Sequence, residues 1–180
     1  RNYFPKKNYR FSSKNIKNIF FIGRLVQSKD PHFFLKGCNL ARKSKKFNIN
    51  IVGEGPDKEK LVKFSKSNKL NVKFHGFIRN PFQVFKNKID LFCLTSQYDG
   101  TPNVLGEAIS CGIPCLAPKN VGSCNELLIN GKGGYLYSQN QISSFKKKLL
   151  NILHNPQSAK LKAKKSYKYL ELHGKKNTLD

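Results

Sequence analysis

From residue 18 onward, short apolar runs alternate with longer polar or amphipathic stretches. The runs are NIFFIG (18–23), FNINIVG (47–53), NVKFHGF (71–77), IDLFCLT (89–95), IPCLAP (113–118) and GGYLY (133–137). They are too short for helices and too apolar for half-exposed strands, which predicts strands buried on both faces. Helix signals fill the gaps between them. Asp30 and Pro31 make an N-cap and N1 pair that opens a helix running to about Ser44. Further helices are predicted from about Pro56 to Ser67, from Pro81 to Asn87, after Thr101 as cap with Pro102 as first residue, and over SCNELLIN (123–130). Ile142, Phe145, Leu149 and Leu153 recur at helical spacing and should face a core. Asn155-Pro156 interrupts that pattern. A lysine-rich helix then spans Gln157 to His173, with Leu161, Tyr167 and Leu170 as its apolar anchors.

This alternation predicts an α/β fold: a doubly wound, mostly parallel sheet of about six strands with helices on both faces. Such sheets bind ligands beyond the carboxyl ends of their strands, near the point where the strand order reverses. Residues 1–17 are polar, basic and aromatic without a period, and read as a linker or crossover from an upstream domain. Residues 18–156 form the ligand-binding domain, and 157–180 a terminal helix with a loose tail after Gly174.

Composition adds less than it promises. The formal net charge is +24, which invites a nucleic-acid or membrane-surface reading. Yet arginine occurs only at positions 1, 10, 24, 42 and 79, so lysine carries nearly all of the charge. The lysines are scattered (Lys45–Lys46, Lys146–Lys148, Lys160–Lys165) and do not interleave with aromatics, as a solvated surface would have it. Peripheral docking on an anionic membrane face is compatible with this charge, and nucleic acid is the weaker partner. Cys38, Cys93, Cys111, Cys115 and Cys124 lack disulfide or zinc spacing and read as small buried residues of a reduced, cytosolic chain. No run approaches the eighteen apolar residues of a membrane span. The absence of any methionine points to a piece of a longer protein.

The candidate chemistry lies at strand-to-helix turns. In DLFCLTSQYDGTPNVLGE (90–107), Asp99 stands just before a helix and Glu107 within it. Unpaired amides and the positive dipole end suit a phosphate at that helix start. Asn103 can add a phosphate or sugar contact, and carboxylates on either side can grip sugar hydroxyls. A nucleotide-sugar has this layout. Glu107 also sits among Leu105, Ala108 and Ile109, where an acid needs a partner or a ligand. Across the sheet edge, FIGRLVQSKD (21–30) presents Arg24 and Lys29 after Gly23, and both cations can reach one diphosphate.

Other chemistries fail on inspection. Gly53-x-Gly55 begins a dinucleotide fingerprint, but Lys58 takes the third glycine position and no acid follows between Leu61 and Ile89, so the glycines read as a tight turn. No Asp-x-Asp, HExxH or GxSxG occurs, so no metal-bridged diphosphate, zinc protease or serine hydrolase site is expected. His75, after a strand, reads as a satisfied structural histidine.

Taken together, these residues resemble the C-terminal half of the retaining GT-B glycosyltransferases of family 4. The resemblance covers roughly Ile19 to Tyr137. It rests on Gly-Arg-Leu…Lys at 23–29, Val-Gly-Glu-Gly-Pro at 52–56, Lys-Phe-His-Gly-Phe at 73–77 and Asp-Gly-Thr-Pro-Asn-Val-Leu-Gly-Glu-Ala at 99–108. Cys-Gly-Ile-Pro at 111–114, Asn125-Glu126 and Asn130-Gly131-Lys132-Gly133-Gly134 complete it. It implies a nucleotide-sugar donor site, with no cofactor and no metal. Arg24 and Lys29 would hold the diphosphate. Glu107 would bind the ribose hydroxyls and Asp99, one methylene shorter than the family's glutamate, would face the transferred sugar. The backbone around Phe77 and Ile78 would edge the base, and Gly100, Thr101, Pro102, Asn103 and Val104 would meet phosphates and sugar. An N-terminal domain outside this sequence would bring a glycan or lipid-linked acceptor, at the inner face of a bacterial plasma membrane. The competing readings are another GT-B reaction, such as sugar-nucleotide epimerisation, and a basic nucleic-acid-binding domain.

Overall fold

The computed structural model describes residues 15–174. The expectations for residues 1–14 and for the tail after Gly174 fall outside them. Six strands form one sheet: β1 (Asn18–Ile22), β2 (Asn48–Val52), β3 (Val72–Phe74), β4 (Leu91–Cys93), β5 (Cys115–Pro118) and β6 (Tyr135–Tyr137). Their order is β3-β2-β1-β4-β5-β6 and every pair is parallel. The chain winds outward from β1 to β3, returns to lay β4 beside β1, and winds outward again to β6. The order therefore reverses between β1 and β4, as in the predicted doubly wound sheet.

Strand alternation divides the apolar side chains between two faces. Ile19 and Phe21 point into a core with α1 (Pro31–Ala41), α2 (Lys58–Ser67) and α6 (Ile142–His154). Phe20 and Ile22 point into a second core with α3 (Pro81–Val84), α4 (Asn103–Ser110), α5 (Cys124–Leu127) and α7 (Pro156–Gly174). Fully burying each of these aliphatic or aromatic side chains contributes about 1.5–3 kcal/mol against chain entropy. A Cβ on Gly37 of α1 would lie 2.3 Å from Phe145 Cδ1 of α6, so the first layer closes to backbone-against-ring contact.

Polar groups fix the registers. Buried Asp90 accepts hydrogen bonds from the amides of Lys17 and Asn18 at 3.0 and 2.8 Å, tying the start of β4 to the start of β1. Asn50, inside β2, has its Oδ1 3.0 Å from His75 Nε2. His75 also packs its ring on Phe20 and Phe85. It is a satisfied structural histidine, and burial followed by the nearby Lys73 lowers its pKa.

Several elements differ from the sequence expectation for local reasons. The helix expected to begin at Pro102 with a Thr101 cap begins at Asn103. Pro102 takes a non-helical ψ of 84° and occupies the N-cap position without a side-chain cap. Asp30 does cap α1, accepting from the Phe33 amide at 2.9 Å, but α1 stops at Ala41 rather than Ser44. On α7, Leu161 is exposed, whereas Ala159, Ala163, Ser166 and Leu170 are buried. This helix docks through small residues: a Cβ on Gly133 would already lie 2.8 Å from Ser166 Cβ.

Candidate functional site

The turns after β1 and β2 lie backbone to backbone. Gly23 N donates to Val52 O at 3.0 Å and Leu25 N to Glu54 O at 2.9 Å, extending the ladder past the strand ends. This contact explains Gly53 and Gly55 better than a tight turn does. A Cβ on Gly53 would sit 1.9 Å from Gly23 O, and one on Gly55 2.3 Å from Leu25 O. Only glycine lets the two turns meet this closely.

The β1–α1 turn is gripped from β4 as well. The Thr95 hydroxyl lies 3.0 Å from Lys29 O and 2.9 Å from Asp30 O, sharing its proton between them. Gln97 donates from its amide to Ser28 O and from Nε2 to Asp30 Oδ2, both at 2.9 Å. Asp30 is held in the left-handed region at φ 45°, following a single 3-10 turn over Gln27–Lys29. Tyr137 supports the far side: its hydroxyl donates to Leu94 O at 3.2 Å, and burial drives its pKa upward.

These contacts aim Lys29 across the reversal point. Its Nζ donates to Asp99 Oδ2 at 2.6 Å in a half-buried ion pair. The pair lines a cavity of about 250 Å³ between the carboxyl ends of β1 and β4. Phe21, Ile22 and Gly23 wall one side; Leu94, Ser96, Thr101, Asn103 and Val104 wall the other. The site thus joins a cation, a carboxylate, a glycine backbone and the first turn of α4, the positive end of that helix's dipole. Such a pocket can hold an anion at the cation and helix start while Asp99 accepts hydrogen bonds from hydroxyls.

The structure gathers some of the candidates and separates others. Gly23, Lys29, Asp99, Thr101, Asn103 and Val104 line the one cavity. Arg24 is exposed on the adjoining turn and does not line it, nor does half-buried Glu107, which lies about 6 Å along α4 from its start. Gly100 is exposed and Pro102 buried beside the rim. Phe77 is exposed and Ile78 half-buried beyond β3, two strands from β1. Sequence reasoning passed over Ser96, Thr95 and Gln97. The available signal was a polar triplet directly after an apolar strand at the ligand edge. Among the described residues, no cluster of histidine, cysteine and acidic side chains is placed to hold a metal.

Comparisons with known proteins fit this architecture. The sequence matches the family of glycosyl transferases group 1 across residues 5–169. It is 31% identical over 132 residues to the lipopolysaccharide 1,6-galactosyltransferase of Salmonella typhimurium, a match covering 71% of this chain and 37% of that protein. The chain thus spans well under half the length of that relative. In three dimensions it resembles TarM with a TM-score of 0.83 at 23% identity, over 96% of this chain and 34% of that one; a related S. aureus TarM structure contains UDP. Anabaena HepE, solved with UDP and glucose, gives a TM-score of 0.77 at 22% identity over 88% of this chain and 44% of its own. The match over nearly the whole sequence establishes that this chain belongs to the group 1 glycosyl transferases.

Proposed function

We propose that the chain is the donor-binding half of a retaining, metal-independent glycosyltransferase that passes a sugar from a UDP-sugar to a glycan or lipid-linked acceptor. The observation that carries this reading is the Lys29–Asp99 pair, closed at 2.6 Å within a cavity at the reversal of strand order. The Lys29 ammonium has three donors, and Asp99 uses one. The others are available to a diphosphate, with Asp99 left in place to accept from hydroxyls of the transferred sugar.

As the glycosidic bond breaks, negative charge grows on the leaving diphosphate. Lys29 and the start of α4 already face that position, so stabilisation requires little rearrangement. Arg24, exposed on the same turn, has the length and forked donors to close over the outer phosphate. Glu107 serves the ribose hydroxyls from inside α4, and Phe77 and Ile78 edge the base. UDP in the TarM and HepE structures supports uridine as the base. The Salmonella relative, named for lipopolysaccharide, supports a lipid-linked acceptor and a cytoplasmic, membrane-peripheral setting. The acceptor would be handled by sequence that the longer relatives possess, so this chain binds donor and transfers little by itself.

Calorimetric titration of UDP and UDP-sugars into the chain tests the reading. Saturable binding is expected, and Arg24→Ala combined with Glu107→Ala should weaken it at least tenfold, about 1.4 kcal/mol. Unchanged affinity in the double variant contradicts the site assignment.

A further inference from the structure

Among the described residues, only two buried side-chain oxygens lack a hydrogen-bond partner: Ser96 Oγ and Ser123 Oγ. A buried hydroxyl left unsatisfied destabilises the fold, so each such group calls for an explanation. Ser96 is 1% exposed and stands directly after β4. Its neighbours are fully engaged. The Thr95 hydroxyl serves two carbonyls, and Gln97 donates through both its backbone and its side chain. The uncommitted hydroxyl between them belongs to a residue lining the cavity with Lys29 and Asp99.

We propose that Ser96 is a further donor-binding residue, whose hydroxyl is completed by the ligand rather than by the protein. It donates its proton to an anionic oxygen of the diphosphate, the ligand group that Lys29 attracts across the same pocket. The chemistry of the wall decides this choice of partner. An O–H lining the same cavity as an ammonium can serve the anion that the ammonium attracts, whereas Asp99 can only accept and so takes sugar hydroxyls. A serine reaches the ligand by moving among its staggered χ1 wells, without backbone movement. The inference rests on reading the cavity as a diphosphate site and adds to it a neutral donor from the strand end.

The test compares wild type, Ser96→Ala and Ser123→Ala by UDP and UDP-glucose titration and by thermal melting. Ser123 is the matched control, an equally orphaned hydroxyl that does not line the cavity. Ser96→Ala is expected to bind both UDP and UDP-glucose about tenfold more weakly, with its melting temperature unchanged or raised. Ser123→Ala should bind both as wild type does. Wild-type affinity in Ser96→Ala would overturn the inference and leave the donor-site reading standing. A loss confined to UDP-glucose would overturn the diphosphate contact, and a lowered melting point with equal loss in both variants would reduce Ser96 to a packing role. A wild-type chain that binds neither ligand would sink the donor-site reading and Ser96 with it.

Discussion

Two loops face each other across the sheet reversal, joined through Gln97 and the Lys29–Asp99 pair, and they differ in how much they leave uncommitted. The turn after β1, residues 23–30, is tied on three sides: to the β2 turn through Gly23 and Leu25, to Thr95, and to Gln97. The turn after β4, residues 96–102, is tied at Gln97 and Asp99 but leaves other groups open. Ser96 has no partner, Tyr98 is 79% exposed, a Cβ on Gly100 would meet nothing within 4 Å, and α4 begins without a side-chain cap. The first loop presents Lys29 at a position fixed by the protein. The second presents groups that a ligand would complete. A binding site can thus divide its labour, with one rigid wall defining where charge sits and one unsatisfied wall gaining most when the ligand arrives.

The sharpest way to break this contrast is to disturb the tied loop at its base. Gly53→Ala puts a methyl against the Gly23 carbonyl in a left-handed conformation, φ 141°, so both turns must part. We expect a loss of about 3 kcal/mol, read as a drop of roughly 6–12 °C in melting temperature, together with weakened UDP binding. A silent Gly53→Ala would mean that the turns are not interlocked. A smaller effect is expected from Thr95→Val, which keeps the shape but leaves the Lys29 and Asp30 carbonyls without their shared donor. Chemical denaturation should register about 1–2 kcal/mol, with unchanged stability refuting the grip from β4.

The mildest probe is pH. Burial and Lys73 lower the pKa of His75 from its ordinary 6.5, and burial and Lys36 do the same for His32. Below pH 6.5 the unfolded chain therefore binds more protons than the folded one. Stability is full above that pH and declines as pH falls through the folded values. Melting temperature should hold from pH 8 to 7 and then fall toward pH 5. His75→Gln, which can still donate to Asn50 but cannot titrate, should flatten that slope. An identical slope in the variant would remove His75 from the account.

Much of the tied side was legible in the sequence. Apolar runs such as NIFFI mark buried strands, and the Asp30-Pro31 pair marks a helix start, because both signals act within a few residues. Lys29 and Asp99 were recognisable as candidates since each lies where a strand hands over to a helix. Their pairing was not, because it spans 70 positions and depends on β4 lying beside β1. Ser96 was marked only by the polar triplet after β4: its burial and its unpartnered hydroxyl are properties of the folded sheet edge and cannot be read from neighbouring residues alone. The α7 contact was legible only in part. Of its expected anchors Leu170 is buried but Leu161 is exposed, and the interface is completed by alanines and a serine whose value lies in being small.

The five cysteines, all free and buried, carry a practical consequence. Burial drives the thiols of Cys38, Cys93 and Cys115 far from ionisation, and burial together with Asp99 pushes Cys124 up to about 12. Thiolate is the reactive species, so the native fold shields its sulfurs from alkylation and oxidation alike. Cys124 is the informative one, because the carboxylate that Lys29 holds adds to burial in raising its pKa. The rate at which a reagent reaches it therefore reports how often the packing around α5 opens, from a probe the chain already carries.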